Sequence, residues 1–413
     1  MMSKEKRRVP KLRFPGFTED WEQRKLGEYA NFRRGSFPQP YGNKEWYDGV
    51  DSAPFVQVVD VGDNLSLVDC TKQRISKLAQ PMSVYAEKGS VLVTLQGSIG
   101  RVAVSQYDAF IDRTILIFQG YKYKTNPYFW AYIIKGKFSE EALKAPGGTI
   151  KTITKEALSN FIILYPKFSE QEQIGSFFEK LDKLITLHQR KLDNLKLKKK
   201  ALLQKLFPKN GDRYPELRFP GFTDAWEQRK LDDIAKIKTG GGTPKTANPE
   251  YWSGNIPWIQ SSDLVEGDIV HVNINKFINN NALKNSAAKL ISRDSIALVT
   301  RVGVGKVAVI NQDFTTSQDF LSLSDFDGND IKFLAYQLYR LMQENAKVLQ
   351  GTSIKGITKT ELIEQSISIP SSGQEQNLIS NVLSKIDSII TLHQRKLDHL
   401  QLQKKALLQQ IFV

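Results

Sequence analysis

Three glycine-containing loop segments occur twice along the chain, and their residue types suit contact with DNA. Each segment combines glycine with a cation, and nearly all add a hydroxyl side chain. Glycine lets a backbone approach a phosphate closely, and Ser, Thr, Lys and Arg contact phosphate oxygens. One such loop alone is ordinarily a turn, so the repetition of all three indicates a DNA-contacting surface. The matched pairs are residues 33–39 with 239–245, 96–101 with 301–306, and 147–151 with 351–355.

Arginine and glutamine side chains in or near these loops are suited to reading base edges. Both residue types pair with bases in the major groove, whereas hydroxyl and lysine side chains hold the backbone. The predicted DNA-binding residues are Arg33, Arg34, Ser36, Gln39, Gln57, Gln96, Ser98, Arg101, Arg113, Thr149, Lys151, Thr239, Gly241, Thr243, Lys245, Gln260, Ser261, Arg301, Gln318, Thr352 and Lys355.

No motif for a catalytic centre is found. Residues 303–306 read GVGK but are followed by valine, so they form no phosphate-binding P-loop. Residues 126–128 and 248–250 lack the second proline of an amino-methyltransferase tetrad. The four histidines form no pair with metal-ligand spacing. We expect a binding protein without catalytic residues, metal or cofactor, with a stand-alone nuclease as the alternative.

Composition favours a polyanionic partner in the cytosol. The formal net charge is +14, which suits nucleic acid or an acidic membrane surface. No run of 18 apolar residues is present, so we expect no membrane span. The charged start lacks the apolar stretch of a signal peptide. The single cysteine, Cys70, excludes an intrachain disulfide and fits a cytoplasmic protein.

The chain is one unit of about 200 residues written twice. Residues 11–26 and 216–231 agree at 13 of 16 positions, and residues 185–207 and 390–412 agree at 18 of 23, both at an offset of 205. The inserts between these frame segments have diverged, apart from traces. The similar frame segments would therefore perform the same task in both copies. The alternative is that they have diverged slowly only because their packing must be kept.

The two inserts are predicted to be similar α+β domains. Short β-branched and aliphatic runs at residues 91–95, 115–118, 161–164, 296–299 and 367–369 indicate strands. Residues 126–137 and 331–348 indicate helices.

Each copy ends in a long helix with a heptad pattern. From residue 170 to 207 apolar residues recur at alternating steps of four and three, and residues 379–411 repeat the pattern. His188, Lys199, His393 and Lys404 interrupt the apolar pattern, and polar residues there set register. A helix of 38 residues extends about 57 Å, so it needs a partner. The short linker near residue 208 favours antiparallel pairing of the two helices.

These elements define the predicted fold: two similar α+β target-recognition domains joined by two long antiparallel helices, a coiled coil with pseudo-two-fold symmetry and the shape of a dumbbell. The predicted boundaries are 1–26 for an N-terminal frame segment, 27–165 for the first recognition domain, 166–208 for a central helical spacer, 209–231 for a linker with the repeated frame, 232–370 for the second recognition domain, and 371–413 for a C-terminal helical spacer.

The frame motifs resemble those of specificity subunits of type I restriction–modification systems. The resemblance rests on LRFPGF at residues 12–17, WEQRKL at residues 21–26, their second copies, and the EQEQ and QEQ openings of the long helices. It covers nearly the whole chain. The glycine–threonine–proline loop of that family matches residues 242–244, and the first copy, residues 35–38, has one extra residue.

The resemblance implies a function and a set of partners. Each recognition domain would read one half of a bipartite site in double-stranded DNA, and the helices would act as a ruler. Two methyltransferase subunits with S-adenosylmethionine, and two restriction subunits that use ATP and magnesium, would assemble on the chain. A coiled-coil adaptor without DNA binding remains an alternative. The predicted partner-binding residues are Phe14, Phe17, Trp21, Leu192, Leu195, Phe219, Phe222, Trp226, Leu397 and Leu400.

Overall fold

The computed structural model describes residues 9–144, 153–209, 211–350 and 356–412. The chain divides into two compact units. Unit 1 consists of Met1–Gln189 and Lys396–Val413, and unit 2 of Arg190–Arg395. Both divisions fall inside a long helix. Each unit therefore contains the beginning of one long helix and the end of the other, so that the predicted spacers 166–208 and 371–413 are each divided between the units.

Unit 1 contains ten short strands, three shorter helices and parts of both long helices among its described residues. In chain order they are β1 (Glu22–Lys25), α1 (Leu26–Tyr29), β2 (Ala30–Arg34), β3 (Ala53–Val56), β4 (Gln73–Ile75), β5 (Val84–Ala86), β6 (Val91–Thr94), β7 (Val102–Val104), β8 (Ala109–Ile111), β9 (Ile115–Tyr121), α2 (Pro127–Lys144), α3 (Lys155–Ser159), β10 (Ile162–Tyr165) and the long helix α4 (Phe168–Lys205).

The central sheet of unit 1 is antiparallel, with strand order β2-β9-β6-β7. Its strands are buried on both faces, since Val91 and Val93 enter the core that contains α2, whereas Leu92 enters the core shared with the second sheet. A strand buried on both faces has a continuous apolar sequence, which is why β6 could be predicted. The second sheet, β4-β3-β8-β5, includes the parallel pair β3–β8.

Unit 2 repeats this architecture. Its elements are β11 (Glu227–Lys230), α5 (Leu231–Ile234), β12 (Ile237–Gly240), β13 (Ile256–Ile259), β14 (Phe277–Ile278), α6 (Asn280–Lys284), β15 (Ser295–Val299), β16 (Val307–Ile310), β17 (Thr315–Thr316), β18 (Phe320–Ser324), α7 (Ile331–Gln350), α8 (Lys359–Ile363), β19 (Ser366–Ile369) and the long helix α9 (Gly373–Ile411).

The sheets of unit 2 follow the same plan with one reduction. The central sheet has the order β12-β18-β15-β16, and the second sheet, β14-β13-β17, again contains a parallel pair. The counterpart of β5 is reduced to a single bridge between Ile291 and Phe314. The predicted α+β class, the predicted strands and the predicted helices are confirmed, with ends shifted by several residues.

Residues 22–25 of the first frame segment, and residues 227–230 of its second copy, form strands that the sequence analysis did not predict. In unit 1, β1 pairs antiparallel with β10, and in unit 2, β11 pairs in the same way with β19. Both frame strands read EQRK. In each unit the frame strand thus forms a separate two-stranded sheet with the strand that precedes the long helix.

A buried bidentate ion pair fixes the frame motif to the long helix in each unit. Arg13 donates two hydrogen bonds of 2.7 Å to the buried carboxylate of Glu170. Arg218 donates bonds of 2.7 and 2.8 Å to Glu375. Fork-shaped arginine–carboxylate pairs are strong and fix orientation. The hydrogen bond to Glu170 raises the pKa of Arg13, so that the pair stays charged.

The long helices run antiparallel within each unit, as predicted. In unit 1, the ring of Phe178 in α4 lies 5.9 Å from that of Phe412, while Asp182, one turn further along α4, pairs at 2.5 Å with Lys404, two turns earlier in α9. In unit 2, Lys199 pairs with Asp387. These lysines were predicted as register residues of the heptad pattern, and their acidic partners were not predicted.

Each of these two lysines also contacts a tyrosine. Lys404 Nζ lies 5.3 Å from the ring centre of Tyr132, whose hydroxyl donates to Asp182. Lys199 Nζ lies 5.3 Å from the ring centre of Tyr336, whose hydroxyl donates to Asp387. Both units therefore contain the same Lys–Asp–Tyr cluster.

None of the described helices has the length and apolar character needed to cross a membrane.

Candidate nucleic-acid interface

Four loops of unit 1 meet around the turn formed by residues 112–115. Ile115 N donates to Asp112 O at 3.0 Å and closes the turn. Three further backbone hydrogen bonds tie it to neighbouring loops: Asp112 N to Val56 O at 3.1 Å, Leu95 N to Thr114 O at 2.8 Å, and Ser36 N to Ile111 O at 3.0 Å. The turn therefore has a fixed position, and Arg113 projects from it as an exposed side chain.

Unit 2 holds the turn of residues 317–320 by the same four backbone hydrogen bonds. They are Phe320 N to Ser317 O at 3.4 Å, Ser317 N to Ile259 O at 2.9 Å, Thr300 N to Asp319 O at 2.8 Å, and Gly242 N to Thr316 O at 2.8 Å. Gln318 is exposed at the position equivalent to Arg113.

A hydroxyl–carboxylate pair stiffens each turn, with the two residue types exchanged. In unit 1, Thr114 donates from its backbone N, at 2.9 Å, and from its hydroxyl, at 2.5 Å, to the buried Asp112. In unit 2, Ser317 Oγ donates to Asp319 at 3.3 Å. In each turn, the hydroxyl residue and the acidic residue stand on either side of one exposed residue.

The side chain next to Arg113 is Tyr41. Its ring centre lies 5.0 Å from the guanidinium carbon of Arg113, and its hydroxyl donates to Asp112 at 2.7 Å. Burial and this hydrogen bond raise the pKa of Tyr41, so the hydroxyl stays protonated and donating. Tyr41 and Arg113 line a cleft of about 380 Å³ together with Gln57 and Thr114. The sequence analysis predicted Gln57 and Arg113 but missed Tyr41.

The glycine loops of the two units match in the register of residues 33–39 with 239–245. Because Gly35 N donates to Ile115 O and Gly241 N to Phe320 O, Gly35 is equivalent to Gly241. Phe37, and not Ser36, is therefore equivalent to Thr243, as the match of residues 33–39 with 239–245 predicts. Ser36 takes the place of Gly242 and donates to Met82 O at 3.2 Å.

The position of Thr243 is filled by Phe37 in unit 1. Phe37 is buried and packs against Phe55, Tyr41 and Tyr47. Thr243 instead donates from its hydroxyl to Gln318 Oε1 at 2.5 Å. The same loop thus supplies a core side chain in one unit and a polar contact in the other.

The hairpin loops after β6 and β15 pack against short 3₁₀ helices. A Cβ on Gly97 would lie 3.5 Å from Val58, and one on Gly303 would lie 3.9 Å from Ser261. Arg101 is half-buried and pairs with Asp63 at 3.0 Å, which occupies part of its guanidinium. Lys306, which was not predicted, donates to Ser261 O at 2.9 Å.

Unit 2 has a further cation beside Gln260. Lys276 donates to Gln260 Oε1 at 3.3 Å, and its Nζ lies 5.4 and 5.9 Å from the ring centres of Trp258 and Trp252. The sequence analysis missed Lys276.

The predicted DNA-binding residues fall into three groups by exposure. Exposed are Arg33, Arg34, Gln39, Gln96, Ser98, Arg113, Lys245, Arg301 and Gln318. Half-buried are Ser36, Gln57, Arg101, Thr239, Gly241, Thr243, Gln260 and Ser261. Thr149, Lys151, Thr352 and Lys355 lie outside the described residues.

Half of the ten predicted partner-binding residues are buried within this chain, and the others are half-buried. Phe14, Phe17, Leu195, Phe219 and Phe222 are half-buried. A direct partner contact through the other five is not supported, because they are buried in this chain: Trp21, Trp226, Leu192, Leu397 and Leu400. Trp21 packs edge-on against Phe129 at 5.7 Å, and Trp226 against Phe333 at 5.6 Å.

The long helices carry exposed apolar residues that the sequence analysis missed. Leu184, Leu187 and Leu197 of α4 are exposed. Their counterparts at an offset of 205, Ile389, Leu392 and Leu402 of α9, are exposed as well. The same apolar positions are thus presented twice. The pair Leu184 and Leu187 lies in unit 1, and the pair Ile389 and Leu392 lies in unit 2; we name these two pairs the helix patches.

The described residues contain no group of His, Cys, Asp and Glu that could hold a metal ion.

Comparison with known proteins identifies the family. A sequence model described as the type I restriction modification DNA specificity domain matches residues 18–197 and again residues 223–402. The chain belongs to this family. The resemblance drawn from the frame motifs is confirmed, and specificity subunits are the non-catalytic members of type I systems.

Individual specificity subunits are similar over different lengths. The MjaIX specificity subunit of Methanocaldococcus jannaschii is 33% identical over 171 residues, which are 40% of this chain and 38% of that protein. The putative MjaX specificity subunit of the same organism is 23% identical over 411 residues, 94% of this chain and 92% of that protein. The MjaIX match therefore spans well under half of that relative.

Solved specificity subunits share the fold. The S subunit of a type I restriction–modification system from M. genitalium has a TM-score of 0.69 and 14% identity, with 98% of this chain and 99% of that chain covered. At this level of identity the likeness concerns the fold alone, namely mixed helix and sheet content with two long helices.

Proposed function

We propose that this chain reads DNA sequence for a type I restriction–modification complex, with each unit recognising one half of a bipartite site. The observation that carries the proposal is the pair of equivalent turns, residues 112–115 and 317–320, which share one backbone frame and differ in the exposed side chain. Two alike frames with unlike tips suit two sensors of one kind that read different bases.

Cations around these turns would hold the DNA backbone. Arg33 and Arg34 end the strand β2, which leads into the glycine loop of unit 1, and both are exposed, as are Arg301 and Lys245 in unit 2. The net charge of +14 supports a polyanionic partner. The candidates at 149, 151, 352 and 355 remain predictions.

The long helices would set the distance between the two half-sites. Within this proposal the recognition domains are residues 27–165 and 232–370, and the helical spacers are residues 166–208 and 371–413.

Two methyltransferase subunits would dock on the helix patches. Because Leu184 and Leu187 of unit 1 recur as Ile389 and Leu392 of unit 2, the chain offers the same apolar contact twice, as two identical partners require. Two restriction subunits would complete the complex. S-adenosylmethionine, ATP and magnesium would be bound by these partners in the cytoplasm.

DNA binding at several salt concentrations tests the proposal. The chain, assembled with its methyltransferase subunits, is expected to select a bipartite sequence from randomised DNA. Its affinity should fall steeply between 50 and 200 mM salt, by about 10³- to 10⁵-fold for six to ten phosphate contacts. The chain alone should neither cleave nor methylate DNA.

Two outcomes would contradict the proposal. Cleavage or methylation by the purified chain alone would favour a stand-alone enzyme. Failure to bind DNA, or binding that ignores salt, would favour a coiled-coil adaptor.

A further inference from the structure

The turns that display Arg113 and Gln318 have equivalent backbone hydrogen bonds at each corresponding residue. Each is closed by one backbone bond and held by three others from the same neighbouring loops. Both enclosed residues are exposed. A shared frame means that the two side chains leave the protein from equivalent points, so a difference in what they contact must come from their own chemistry.

Arg113 is held in place before any ligand arrives. The ring of Tyr41 packs on its guanidinium at 5.0 Å, and Tyr41 is itself fixed by its hydrogen bond to the buried Asp112. A stacked guanidinium loses less freedom on binding, and its planar set of donors suits an acceptor pair. Guanine presents such a pair, O6 and N7, in the major groove.

Gln318 is oriented in a different way. Thr243 donates to its Oε1 at 2.5 Å, which fixes the amide oxygen on the side of Thr243. The oxygen has a second lone pair and the amide nitrogen has two donors. One acceptor beside one donor matches adenine, which presents N6–H₂ and N7 in the major groove.

We infer that Arg113 and Gln318 are equivalent base-reading positions, with Arg113 selecting guanine in one half-site and Gln318 selecting adenine in the other. The inference rests on the proposed function and deepens it. It is separable from that function, because a phosphate contact by Arg113 would leave DNA binding intact and remove only the base preference of this position.

Exchange of the two residue types tests the inference in the full chain assembled with its methyltransferase subunits. Preferred sites are selected from randomised DNA by the unchanged chain and by the variants Arg113→Gln and Gln318→Arg. Arg113→Gln is expected to change one guanine to adenine in one half-site and to weaken binding to the original site by about 10- to 100-fold. Gln318→Arg is expected to change one adenine to guanine in the other half-site.

Arg293→Gln is the matched control, since it removes the same charge at another place. Arg293 precedes β15, whereas the contact with the reading turn comes from Thr300 at the other end of that strand. This variant should select the unchanged site. Assembly with the methyltransferase subunits shows that a variant is folded. If Arg113→Gln fails to assemble, Gln318→Arg decides the inference in unit 2.

The opposing results are distinct. If both variants select the original site, or if Arg113→Gln weakens all sequences equally and lowers the salt dependence by about one phosphate, the inference is wrong while the proposed function stands. If the unchanged complex selects no bipartite site, the proposed function itself fails.

Discussion

Replacing Lys404 by methionine should destabilise unit 1 far more than replacing an exposed lysine nearby. Lys404 and Asp182 form a buried pair, with side chains 15% and 9% exposed. Methionine keeps the length of the side chain but leaves the carboxylate without its cation. Breaking a buried pair on one side costs about 3–5 kcal/mol. Because Tyr132 still donates to Asp182, we expect a loss of about 3 kcal/mol.

Thermal unfolding and amide hydrogen exchange measure this loss. A loss of about 3 kcal/mol in a unit of this size lowers Tm by about 6–12 °C. Exchange should accelerate in α2 and in the first half of α4. The control is Lys183→Met, where the ion pair with Glu179 is 71% exposed on the lysine side and contributes less than about 1 kcal/mol.

A double variant separates the charge effect from packing. Asp182→Asn combined with Lys404→Met removes the unpaired charge while a carbonyl still accepts from Tyr132, so at least half of the lost stability should return. The reasoning is refuted if Lys404→Met behaves like Lys183→Met, or if the double variant is as unstable as Lys404→Met alone.

Three further predictions concern docking, spacing and pH. Leu187→Glu combined with Leu392→Glu should weaken binding of the methyltransferase subunits at least tenfold in a pull-down titration while Tm stays unchanged; intact binding would remove the helix patches from the interface. One heptad added to both long helices at the unit boundaries, about 10.5 Å of helix, should lengthen the unread spacer by about three base pairs and leave the bases read unchanged, as site selection will show. Burial raises the pKa of Tyr128 and Tyr165 to about 12; the stability that this supplies is complete below pH 10 and is lost as pH rises through about 12. The phenolate absorbance that is lost in the variants Tyr128→Phe and Tyr165→Phe should therefore belong only to the alkaline unfolding step, and a loss of absorbance from folded protein at pH 10 in these variants would contradict the shifts.

Much of the fold could be predicted because its signals are local in sequence. The apolar runs of β6 and β15 reflect burial on both faces of a sheet, and the heptad pattern reflects helix pairing. Because the frame segments repeat at an offset of 205, an element predicted in one copy was also expected in the other.

What could not be predicted depends on contacts between distant segments. The acidic partners of Lys199 and Lys404 lie 188 and 222 positions away, and no local pattern marks them. Trp21 belongs to a repeated motif and was predicted to bind a partner, yet its side chain is buried in the core of its own unit.

The candidate site was predicted in part. The loops that carry Arg113, Gln318 and Thr243 were found from residue type. The match of residues 33–39 with 239–245 puts Phe37 opposite Thr243, but the burial of Phe37 in the core of unit 1 is visible only in the structure. Tyr41 escaped because its contact with Arg113 joins loops 72 positions apart.

The central claim is that each unit reads one half of a bipartite site, and mapping of methylated adenines tests it most directly. Cells would express the partner subunits with either the unchanged chain or a chain whose residues 27–165 come from another specificity subunit. The account predicts one bipartite methylated sequence for the unchanged chain, and for the exchanged chain a new sequence in one half with the other half retained. Changes in both halves, or methylation at no defined sequence by the unchanged chain, would contradict it.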